Sequence, residues 1–166
     1  MDEILLQRLE NYLKENYKEP LQGYYQVSAG PRQSVKAPVT QSDYYQLELN
    51  LPPLEKTFAA RLLEMIRAKG KTEIEIYKKA NIDRRLFSKI RTNADYAPSK
   101  ATILALIFAL ELEIDEAEDL LERAGYCLSR SKKEDVVVQF FIENQVYDLF
   151  TIQKALEHFG LPVLGG

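Results

Sequence analysis

Four cations, Arg84, Arg85, Lys89 and Arg91, fall within one short segment, with Ser88 and Asn93 interleaved among them. A guanidinium is a planar fork that can bond two acceptors at once, such as O6 and N7 on the major-groove edge of guanine. Ammonium, hydroxyl and amide groups more often meet phosphate oxygens, which position a protein on a duplex without reading its sequence. Arg84 and Arg85 are therefore candidates for base contact, and Ser88, Lys89, Arg91 and Asn93 for phosphate contact. Lys71 and Thr72, just upstream, would meet phosphate at the start of a preceding helix, where backbone amides are free. The plainer reading is that charge runs of this kind coat a solvated helix face. Against it, Arg84 and Arg85 would occupy the first turn of a helix, where cations oppose the helix dipole.

The elements that must position these residues can be read from their neighbours. Thr72 and Glu75 form a capping-box signal, and Ile74, Ile76 and Tyr77 follow at helical spacing until Ala80, Asn81 and Ile82 interrupt. Asp83 is a good N-cap for the next helix, in which Leu86, Phe87 and Ile90 share an apolar face. Two such helices joined by a tight turn match the helix-turn-helix arrangement, whose second helix enters the DNA major groove. Upstream, residues 58–69 carry Leu62, Leu63, Met65 and Ile66, with Gly70 as the stop. Downstream, 94–98 is a loop, and Ser99 caps a helix to about residue 112 that is apolar nearly all round and so belongs in the centre. Asp115 with Glu118 opens a fifth helix ending at Gly125. A second capping box, Ser131 to Glu134, opens a helix with Val136, Val137, Phe140 and Phe141 inside, and a last helix covers about 147–159.

Residues 54–125 as a whole resemble the lambda-repressor-like DNA-binding domain, known in bacteria as the Xre type. The resemblance is carried by Arg67-Ala68-Lys69-Gly70 closing helix 1, Thr72 opening helix 2, and Ile82 after the turn. It continues through the recognition-helix pattern Arg84-Arg85-Leu86-Phe87-Ser88-Lys89-Ile90, the Pro98-Ser99 lead into helix 4 and an Asp-capped helix 5. It implies an all-α, five-helix bundle that binds double-stranded DNA, commonly as a homodimer, and regulates transcription. Three positions depart from the family: Glu73 where Gln is frequent, Tyr77 where a small Ala is usual, and Arg91 in place of the usual Glu. These departures keep open a second reading, a helix-turn-helix-fold adaptor that has lost DNA reading and serves a protein partner in a signalling or defence pathway.

The chain as a whole bounds both readings. Its domains are expected at 1–18, an amphipathic helix with Ile4, Leu5, Leu9, Tyr12 and Leu13 on one side, and 54–126, the bundle. Between them, 19–53 reads as a tether, since residues 20–53 hold five of the seven prolines. Tyr45 to Leu51 alternates in polarity and could pair with Tyr24 to Val27 as a short hairpin. Residues 127–166 form a helical extension, which with the first helix is the expected surface for a homodimer or protein partner. The net charge is only −3, yet 57–100 holds 11 Lys/Arg against 5 Asp/Glu while 101–125 holds 7 Asp/Glu against Arg123 alone. Segregation of this sort can leave one basic face on an acidic protein.

Cys127 is the single cysteine, which excludes an internal disulfide and fits a reducing compartment. Asp2 and Glu3 argue against a signal peptide, and the apolar run at 101–110 is far short of the roughly 20 residues that span a bilayer. A cytoplasmic protein with no membrane partner is expected. His158 and Cys127 each stand alone, so neither a metal site nor a cofactor is expected. No Gly-rich phosphate loop, nucleophile elbow or paired His is present, and Asp115, Glu116, Glu118 and Asp119 suit helix capping better than catalysis; an enzyme is not expected. The terminal Gly165-Gly166 reads as a frayed end.

Overall fold

A computed structural model describes residues 2–19, 40–41 and 55–164, and among these the regular structure is helical, with no strand. The helices are α1 (Glu3–Asn16), α2 (Phe58–Ala68), α3 (Glu73–Lys79), α4 (Arg84–Thr92), α5 (Lys100–Leu110), α6 (Ile114–Glu122), α7 (Lys133–Glu143) and α8 (Leu149–His158). The expected tether, with its hairpin, lies almost wholly outside the described residues, as does Gly165-Gly166. The described residues 2–19 and 56–164 belong to one compact unit, so α1 shares a core with the helices that follow.

Helix α5 is the centre of that core. Every residue from Thr102 to Leu110 is buried, and Ile103, Leu106, Ile107 and Phe108 are wholly enclosed. A helix apolar on all sides cannot find solvent for any face, so others must surround it. Helices α3, α6 and α8 pack directly against it. Leu62, Met65 and Ile66 of α2, Phe87 and Ile90 of α4, and Val137 and Phe141 of α7 join the same cluster. Its first turn is capped by Ser99, whose hydroxyl accepts from the Thr102 amide at 3.2 Å. Its end comes at Glu111, which takes a left-handed φ of 54° and stops the helix two residues short of the expected limit.

Helix α1 docks on α7 through Leu9 and Leu13. The Tyr12 ring stands edge-on to Phe140 at 5.2 Å, and its hydroxyl donates to Glu143 at 2.7 Å. Burial, together with that carboxylate, pushes the Tyr12 hydroxyl well above the usual tyrosine range. Ile4, expected on the same side, is instead 70% exposed. Five positions along an α-helix turn it about 140° away from Leu9, so it cannot share that stripe.

Two helix starts differ from expectation. Helix α6 begins at Ile114, because the short link after Glu111 makes Glu113 the cap; Glu116 accepts from the Glu113 amide at 3.2 Å, and Asp115 falls inside the first turn. Helix α7 begins after Lys132, with no side-chain cap and no Ser131–Glu134 box. There the acid that organises the loop is Asp135, 1% exposed, which accepts from the Ser129 amide at 2.9 Å. The Lys100 ammonium lies 2.6 Å from its carboxylate and also donates to the Cys127 carbonyl at 2.7 Å. Only Oδ2 of Asp135 is in an aligned hydrogen bond; Oδ1 is buried without one. Asp148 caps α8 by accepting from the Thr151 amide at 2.9 Å, and the Tyr147 hydroxyl donates to the Leu112 carbonyl at 3.2 Å. No described helix is long and apolar enough to cross a membrane.

Candidate nucleic-acid interface

The candidate interface is built from α3, a tight turn and α4. The Thr72–Glu75 capping box forms in full: the Thr72 amide donates to Glu75 at 2.7 Å, and the Glu75 amide donates to the Thr72 hydroxyl at 3.2 Å. The Thr72 hydroxyl also donates to the Glu75 carboxylate at 2.8 Å. These bonds, the backbone one foremost, hold the Glu75 carboxyl below its usual range. Both donors of Thr72, expected to meet phosphate, are thus engaged within their own helix start. Lys71 is exposed, and its amide closes α2 by donating to the Ile66 carbonyl at 3.1 Å.

The turn is short because its residues close both helices at once. The Ile82 amide donates to the Tyr77 carbonyl at 2.8 Å, while Asn81 takes a left-handed φ of 53°, which its short polar side chain tolerates. Ala80 and Ile82 are buried on either side of it. Asp83 then caps α4, accepting from the Arg85 amide at 2.7 Å. Tyr77, larger than the Ala usual in the resembled family, is half-buried with its ring 5.7 Å from that of Phe87. It fills space between the two helices instead of allowing closer approach.

Burial of Phe87 and Ile90 orients α4. Successive residues turn by about 100°, so the opposite arc carries Arg84, Arg85, Ser88, Lys89 and Thr92. All are exposed except Ser88, which is half-buried. Arg84, Ser88 and Arg91 form a row along an open groove of about 600 Å³, whose other side includes Glu73, Ile74 and Tyr77. Arg85, Lys89 and Thr92 form the next row. Thr92 was not singled out from sequence, though its place seven residues after Arg85 is the signal that finds it; its hydroxyl donates to the Ser88 carbonyl at 2.9 Å. Asn93 falls outside both rows. Its amide donates to the Lys89 carbonyl and its Oδ1 accepts from the Asp95 amide, each at 3.1 Å, so it ends α4 and holds the next turn.

The cations of the face differ in their partners. The Arg91 guanidinium meets Glu73 at 3.2 Å across the groove, and the Lys89 ammonium sits 3.9 Å over the Tyr96 ring. Arg84 and Arg85 make no ion pair among the described residues.

Elsewhere the opposed charge blocks of the sequence cancel in part. Arg61 of α2 donates to Asp119 of α6 at 2.6 Å, Lys69 pairs with Glu116 at 2.9 Å, and Lys79 pairs with Glu111. Burial pushes the Asp119 carboxyl up, but the hydrogen bonds from Arg123 and Arg61 outweigh it and hold the group below its usual range. Arg67, Lys71 and Lys78 make no ion pair among the described residues, so the uncompensated positive charge of the basic block is shared between them and the exposed arc of α4. Compared with models of known protein families, with curated proteins and with solved structures, the chain matches none.

Proposed function

We propose that this chain is a helix-turn-helix regulator that binds double-stranded DNA, with α4 laid in the major groove. The observation that carries the reading is the exposed arc of α4, where, among the described residues, Arg84 and Arg85 stand without carboxylate partners while Arg61 of α2 and Lys69 just beyond it are paired. In this role Arg84 and Arg85 contact base edges, and Ser88, Lys89, Arg91 and Thr92 hold phosphates. Lys71 approaches the backbone from the start of α3. One recognition helix reads few base pairs, so a homodimer on a two-fold site is the working assembly. A cytoplasmic regulator is the setting that this activity implies.

A second reading, an adaptor that docks a protein partner, has one observation in its favour. Ile74 is 56% exposed on the groove between charged residues, a mixed lining that suits a peptide. The two readings separate on whether sheared genomic DNA or a co-purifying protein is retained by the full chain.

The decisive test compares two variants on a site selected from genomic DNA by the full chain and on random-sequence duplexes. Arg85→Ala should lose about 1–3 kcal/mol on the selected site and blur its sequence preference. Lys89→Ala should weaken all duplexes alike and make the salt dependence shallower by about one counterion. Both should keep wild-type helicity, because neither side chain lies on the buried face of α4. If the wild-type protein retains no duplex even at about 50 mM salt, where backbone attraction is strong, the regulator reading fails.

A further inference from the structure

We infer that Glu73 restrains this face by competing with DNA for Arg91, an inference that rests on the DNA-binding reading above. Glu73 and Arg91 stand on opposite sides of the groove, and their 3.2 Å ion pair bridges it. The pair is partly open to solvent, with the two side chains 35% and 48% exposed. Exposed pairs of this kind are weak and exchange readily, so a phosphate oxygen can replace the carboxylate as the partner of Arg91. Before it does, Arg91 contributes little to attraction. Afterwards Glu73 is left beside a polyanion, and the repulsion between them opposes binding. Arg84 and Arg85 face no such competitor among the described residues.

The consequence is selective. Attraction to the backbone dominates non-specific binding, whereas base contacts add only at the correct site. A carboxylate set against Arg91 lowers affinity for every duplex. Among the described residues it pairs with neither Arg84 nor Arg85, the base-edge contacts of this reading. Recognition then depends more on sequence and less on bulk charge. The remaining exposed carboxylates of α6, such as Glu118, lie outside the groove and would act only through net charge.

The test measures binding of the full-length chain to a random-sequence duplex by fluorescence anisotropy over a salt series. Glu73→Gln should bind about fivefold more tightly at low salt, with the log–log slope steeper by about one. Combining it with Arg91→Ala should abolish that gain, since the freed guanidinium is what the carboxylate had held. Glu118→Gln, the same charge change on α6, should shift affinity by less than about twofold, the residue of long-range screening. Arg91 and Glu118 are exposed and Glu73 is half-exposed, so an unchanged circular dichroism spectrum is expected of every variant. The inference is overturned if Glu73→Gln binds no more tightly than wild type, or if Glu118→Gln gives the same gain, while wild-type binding leaves the DNA reading intact. If neither wild type nor Glu73→Gln retains any duplex, both fall together.

Discussion

Breaking the Lys100–Asp135 pair from its two ends should cost different amounts, and the difference follows from burial. Asp135 is 1% exposed, while the Lys100 side chain is 20% exposed. Lys100→Ala leaves a carboxylate enclosed with only the Ser129 amide as donor, the situation of an uncompensated buried charge, and should cost about 3–5 kcal/mol. Asp135→Ala leaves an ammonium that still donates to the Cys127 carbonyl and can turn toward water. Its main penalty is the orphaned Ser129 amide, about 1–3 kcal/mol. The double variant Lys100→Met with Asp135→Leu removes both charges at similar volume. It should therefore be less damaging than Lys100→Ala alone. Urea denaturation near neutral pH, followed by circular dichroism, gives all three values and their coupling. Should Lys100→Ala prove no more costly than Asp135→Ala, the carboxylate is not desolvated as the packing implies and the reasoning fails.

Two further outcomes are expected. Phe108, wholly enclosed on the central helix, should cost about 3–5 kcal/mol on truncation to Ala, and an unchanged melting temperature would contradict its central place. Acid should destabilise the fold through Asp119, Glu116 and Glu75, all held below their usual ranges. For Asp119 the unfolded state binds its proton more readily than the folded state, so its contribution is complete above the ordinary value of 3.8 and is lost as pH falls through the lower folded value. Asp119→Asn should therefore flatten the fall in melting temperature as pH drops below the ordinary value of 3.8; an equally steep fall in the variant would place the acid sensitivity elsewhere.

Much of the helical layout was legible because its signals are local. Thr72, Asp83 and Ser99 bond amides two or three positions away, so the residues that start α3, α4 and α5 are written next to the helices they start. The all-apolar run of α5 specifies burial whatever surrounds it. The same local logic misplaced the starts of α6 and α7. A serine or aspartate at cap spacing is only one competitor for the chain, and the link after Glu111 and the burial of Asp135 set those boundaries instead. The residues able to bond bases and phosphates were also visible, since type and helical spacing suffice to find Arg84, Arg85, Ser88 and Lys89 together. Sequence alone could not say which of these cations is opposed. That depends on carboxylates brought from other elements, 18 residues back for Arg91 and far along the chain for Arg61 and Lys69. Hydrogen-bonded caps and apolar periodicity act over one turn and can be read from the chain. Charge compensation acts through space, and only the packing of α2, α3, α4 and α6 decided which positive charges remain exposed.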